Sequence, residues 1–139
     1  MLSKVQEELN EPYPAVAGSV PQVRLAVTQF ATRSGIAGEP LEAIRLAVTE
    51  AVTNVVKHAY PKRTGAFHVT AAVAGRELRV LVSDDGCGYQ TPAQSPGLGW
   101  GLTLIARHSE KYVITERATG GTEVRMRFPI VPSREPDEG

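Results

Sequence analysis

At 139 residues, with hydrophobic residues at 42% and charged residues at 22%, the chain has the size and composition of one globular domain with a real core. Fifteen basic and fifteen acidic residues cancel, so no overall field draws it to nucleic acid or an anionic membrane, and any polyanion must be held by a local site. The single cysteine, Cys87, excludes an internal disulfide framework, and with no spanning or signal-like apolar run the expected location is the cytoplasm.

Residues 1–14 read as an N-terminal segment, with weak alternation over 4–12 that allows an edge strand. Ser19 followed by Pro21 has the form of an N-cap with proline in the first turn. Val20, Val23, Val27, Phe30 and Ala31 then keep helical spacing up to Gly35. A second helix is expected from Glu39 or Pro40 to His58, stopped by Pro61; Ile44, Val48, Ala51 and Val55 share one of its faces at about 100° per residue. Phe67, Val69, Ala71 and Val73 alternate as a strand. "AGRE" (74–77) supplies a hairpin turn, and Leu78, Val80 and Val82 alternate next. A glycine-rich loop over 86–101 leads to a helix expected over 102–109. "KYVITE" (111–116) and "TEVRMRF" (122–128) complete the sheet around a turn at Gly120–Gly121. The proline- and charge-rich end, 129–139, reads as a disordered tail. Strands arriving mostly in hairpins predict an α+β two-layer sandwich: a mixed, mostly antiparallel sheet with helices on one face.

Four stretches carry chemistry. In "EAVTNVVKHAY" (50–60), Glu50, Asn54 and His58 recur every four residues, with Lys57 near Glu50 in projection. Helical geometry puts this stripe on the rim of the apolar face, and spacing alone favours a solvated border over a ligand site. In "LRVLVSDDGCGY" (78–89), Asp84 ends an inward apolar row while Asp85 points to the other face. A buried carboxylate needs donors, and Gly86 and Gly88 allow close approach to a ligand; a turn cap is the plainer reading. In "SPGLGWGLTLIARH" (95–108), Gly97, Gly99 and Gly101 precede a helix N-terminus, an arrangement that suits phosphate as readily as it serves a flexible loop. No Gly-Lys-Ser/Thr follows, so this is not a P-loop. Finally, Thr122 is the polar member of the inward row Thr122, Val124, Met126 and Phe128, a position without meaning on its own.

Taken in order, these stretches resemble the ATP-binding domain shared by gyrase B, Hsp90, sensor histidine kinases and MutL (the GHKL type, with its Bergerat fold). Glu50-x-x-x-Asn54-x-x-Lys57-His58-Ala-Tyr is similar to the N box, Asp84-x-Gly86-x-Gly88 to the first glycine box, Gly97-Leu-Gly99-Trp-Gly101-Leu102 to the second, and Gly121-Thr122 to the closing motif. Within that superfamily the short chain looks most like the bacterial anti-sigma-factor serine/threonine kinases. The resemblance implies an ATP-binding kinase domain over 15–128 that uses ATP and Mg²⁺ and phosphorylates an anti-sigma-factor antagonist; the alternative it leaves is a nucleotide-dependent switch without transfer. It implies that Asp84 accepts from the adenine amino group with Thr122 in support, and that Asn54 holds Mg²⁺. It places Lys57 and His58 on the phosphate and ribose side, and Gly86 and Gly88 against the nucleotide. Gly97, Gly99, Trp100, Gly101 and Leu102 would close over the phosphates, with Glu50 as general base or orienter. The partners it implies are a sigma factor, the antagonist protein and a second copy of the chain, with no direct nucleic acid and no membrane.

Overall fold

The computed structural model of the chain describes residues 8–60, 64–86, 111–116 and 121–130, the stretch 111–116 by its backbone path. Among these residues the elements run β1 (Leu9–Pro14), α1 (Ser19–Arg33), α2 (Gly38–His58), β2 (Ala66–Ala74), β3 (Glu77–Asp84), β4 (Lys111–Glu116) and β5 (Thr122–Pro129). The strands form one sheet in the order β1-β2-β3-β5-β4, and every described pairing is antiparallel. Both helices lie on one face, α1 against β1 and β2, α2 against β3 and β5. This is the α+β two-layer arrangement expected from the hairpin order. The helix expected over 102–109, the loop from residue 87 and the chain beyond 130 lie outside the described residues.

Period decides the layers. Phe67, Val69 and Ala71 on β2, Leu78, Val80 and Val82 on β3, and Val124, Met126 and Phe128 on β5 are buried, while the intervening His68, Arg79 and Arg125 are exposed. Against this row α2 places Ile44, Ala47, Val48, Ala51, Val52 and Val55, and α1 places Val23, Val27, Phe30 and Ala31. Each fully buried Val, Ile or Leu contributes on the order of 1.5–3 kcal/mol relative to exposure. The β-branched residues of α2 therefore stay helical because their burial outweighs a propensity penalty of a few tenths of a kcal/mol each. Lys57 and His58 in its last turn and Glu39 in its first complement the helix dipole.

Local details differ from the sequence reading. Ser19 does not cap α1: Gly18 takes the N-cap position and makes no side-chain cap bond. The Ser19 hydroxyl instead donates to the Pro14 carbonyl at 2.6 Å, tying the helix start to the end of β1. The edge strand β1 occupies 9–14, where Pro12 and Pro14 are tolerated because one side of an edge strand needs no ladder donor. Residues 129 and 130, assigned by sequence to the tail, belong to the sheet end: Pro129 closes β5, and the Ile130 N–H donates to the Arg76 carbonyl at 2.8 Å while its side chain packs on the core.

Candidate functional site

Four polar side chains are buried among the described residues: Ser19, Asn54, Asp84 and Thr122. Ser19 is accounted for by Pro14. The other three belong to the motifs singled out above: Asn54 is buried on α2, and Asp84 and Thr122 are buried on β3 and β5, the strands α2 packs against. Asp84 is the last residue of β3 and Thr122 the first of β5, and the two are register partners. Both are inward, at 5% and 3% exposure. The Asp84 Oδ1 accepts from the Gly86 N–H at 2.8 Å, one of the donors that a buried carboxylate requires.

Two glycines hold this corner together by letting backbones touch. A Cβ on Gly121, whose φ is +93°, would lie 1.9 Å from the Asp84 carbonyl oxygen. A Cβ on Gly86 would lie 2.1 Å from the Ala59 carbonyl oxygen at the end of α2. The start of β5 is thus pressed against Asp84, and the turn after Asp84 is pressed against the C-terminus of α2. Asn54 lies five residues before Ala59, about 7.5 Å along the helix axis from this contact.

The stripe on α2 does not lie evenly on the rim. Glu50 is half-buried, Asn54 is 3% exposed, and Lys57 and His58 are exposed. The reason is what covers each position: Asn54 shares its face with buried Ala47 and Ala51, while the Gly86 turn covers the Ala59 side of the last turn and leaves Lys57 and His58 outward. The Asn54 Nδ2 is buried with no hydrogen-bond partner among the described residues. An unsatisfied buried amide costs about 1–3 kcal/mol, which sets Asn54 apart from the apolar residues around it.

Sequence reasoning assigned no role to Tyr60. Its hydroxyl donates to the Ala66 carbonyl at 2.6 Å and accepts from the Asp85 N–H at 2.9 Å, while its ring lies over Gly65, where a Cβ would come within 2.4 Å of the ring carbons. The available signal was an aromatic hydroxyl at a helix end, a group that needs a partner when covered. Gly88, Gly97, Gly99, Trp100, Gly101 and Leu102, and with them Cys87, lie outside the described residues. A cavity of about 300 Å³ beside Pro12, Phe67, His68, Ser83 and Asp85 touches Asp84 but is lined by neither Asn54 nor Thr122.

A family profile described as "Histidine kinase-like ATPase domain" matches residues 13–128, a range that includes Asn54, Asp84 and Thr122. The chain belongs to this family. Within it, the chain is similar to curated proteins named serine-protein kinase RsbW. It is 31% identical over 83 residues to those of Bacillus thuringiensis and Bacillus anthracis, covering 60% of this chain and 52% of theirs. The match thus spans about half the length of these relatives. A solved structure of the RsbU and RsbW domains of a Mycobacterium tuberculosis protein superposes with a TM-score of 0.73 at 24% identity, covering 93% of this chain and 34% of that one, and shows the fold. Among the described residues no helix is long and apolar enough to cross a membrane.

Proposed function

We propose that this histidine kinase-like ATPase domain is an ATP-dependent serine/threonine protein kinase that phosphorylates an anti-sigma-factor antagonist and restrains a sigma factor. The observation that carries the reading is the buried, unpartnered Asn54 amide set against the buried Asp84–Thr122 pair. The similarity to proteins named serine-protein kinase RsbW supports the choice of acceptor.

These residues fit a magnesium nucleotide. A carboxamide offers an oxygen to a hard divalent cation and N–H groups to a phosphate oxygen, and Asn54 has an amide nitrogen to spare. Bound there, Mg²⁺ would neutralise phosphate charge. Asp84 accepts the exocyclic N–H of adenine, and Thr122 beside it supplies a hydroxyl to the same base edge. Lys57, exposed at the end of α2, adds positive charge on the phosphate side, and His58 beside it adds an imidazole. By the resemblance, Gly86, Gly88, Gly97, Gly99, Trp100, Gly101 and Leu102 would close over the nucleotide. Glu50, one helical turn before Asn54 and half-buried, orients or deprotonates the attacking serine hydroxyl. Phosphoryl transfer needs positioning and charge neutralisation above all, so this small set suffices.

The test is transfer of labelled γ-phosphate from Mg-ATP to a purified antagonist protein bearing a phosphorylatable serine. Wild type should label the serine, and Glu50→Ala should bind ATP and lose the label. Undiminished labelling by Glu50→Ala removes Glu50 from the chemistry; ATP binding without labelling by wild type leaves a nucleotide-dependent switch.

A further inference from the structure

Tyr60 follows α2, two residues after His58 and six after Asn54, and its phenol joins the end of that helix to the start of β2 and the turn after β3. It donates to Ala66 at the start of β2 and accepts from the amide of Asp85 in the turn after β3. The Asp85 N–H belongs to the peptide whose carbonyl is that of Asp84, so the bond fixes the plane of that peptide and the exit direction of the Asp84 side chain. On the other side of the same peptide, Gly121 presses on the Asp84 carbonyl oxygen. The next amide, Gly86 N–H, is taken by the Asp84 carboxylate itself. The Tyr60 bond ties this turn to the end of the helix carrying Asn54, beside the contact of Gly86 with the Ala59 carbonyl. The ring packs against Gly65, a position where any larger residue would collide with it.

We infer that Tyr60 is a positioning residue that sets the Asp84 carboxylate relative to α2, and so holds the base-reading end of the nucleotide site in register with its phosphate end. The inference rests on the nucleotide reading above and goes beyond it by assigning base discrimination to a residue that does not touch the base. Removing only the hydroxyl leaves the ring over Gly65 and frees the Asp85 peptide. Phosphate contacts from α2 are unchanged, whereas the acceptor facing the adenine amino group loses its fixed direction.

The experiment is equilibrium titration of the wild-type chain and Tyr60→Phe with Mg-ATP and Mg-GTP, with melting of both proteins without nucleotide. Wild type should prefer ATP. In Tyr60→Phe, ATP affinity should fall about three- to tenfold, the value of one or two hydrogen bonds, while GTP affinity changes by less than about twofold. Equal losses for ATP and GTP, tracking a lowered melting point, would show a structural role only and overturn the inference. So would an unchanged ATP-to-GTP ratio. A wild-type chain that binds neither nucleotide sinks the underlying reading and this inference with it, whereas ATP-selective wild type with an equally selective Tyr60→Phe sinks the role of Tyr60 alone.

Discussion

Asp84 and Thr122 are register partners at the end of β3 and the start of β5, both buried, and together they are the polar end of two otherwise apolar inward rows. Nothing in the packing of Val82 or Val124, their inward neighbours, requires a carboxylate or a hydroxyl there. Thr122→Val keeps the shape of the side chain and removes only the hydroxyl. The expected result is an intact fold with ATP affinity reduced about three- to tenfold, measured by calorimetry. An unchanged affinity would separate Thr122 from the nucleotide.

Asn54 is buried among alanines and valines with its amide nitrogen unpartnered. Asn54→Leu replaces it with an apolar group of similar volume. Stability to urea should rise by about 1 kcal/mol, because an unsatisfied amide is removed, while Mg²⁺-dependent ATP binding disappears. A stability loss in this variant would mean that the amide has a partner in the folded protein.

Gly121 combines a φ of +93° with backbone contact to Asp84. Gly121→Ala meets both left-handed strain and a collision with a carbonyl oxygen that cannot move alone. It should cost at least about 3 kcal/mol in a denaturation experiment and weaken nucleotide binding through the displaced Asp84. Near-wild-type stability would show that β5 can shift without consequence.

On the outer face, Arg79 and Arg127 are register partners, a like-charge pair relieved by Glu77, which reaches both at 3.1 and 2.9 Å. The Glu77 carboxyl is held below its ordinary value of 4.5, first by its hydrogen bond to Arg79 and then by Arg127. A depressed folded pKa gives stability that is present above the ordinary value and is lost as pH falls through the folded one. Glu77→Gln should therefore lower stability slightly at neutral pH and flatten the acid side of the profile below about pH 4.5, so that the two proteins converge as pH falls. An unchanged acid limb would show that the pair contributes nothing measurable.

Much of this was legible because it follows from period. The alternation of β2, β3 and β5 and the 3.6-residue spacing of α2 name the buried faces residue by residue, and Asp84 and Thr122 stand out as polar members of apolar rows. What escaped depends on contacts between different elements, which no single element's period shows. Ser19 looked like a cap, yet the Pro14 carbonyl claims its hydroxyl. Asn54 looked like a rim residue, since a wheel shows direction and not what covers it. Tyr60 closed the N-box match but carried no role, because its partners, Ala66 and Asp85, are defined only once the hairpin and the helix end meet.

The central claim, an adenine nucleotide held between Asp84 and Asn54, is tested most directly by calorimetric titration of Mg-ATP into the wild-type chain and Asp84→Asn. The substituted amide keeps an oxygen for the Gly86 N–H, so the turn is preserved while the charge that receives the adenine amino group is lost. Saturable binding to wild type, weakened at least about tenfold in Asp84→Asn, is the predicted result. No saturable binding to wild type, or equal affinity in the two proteins, would contradict it.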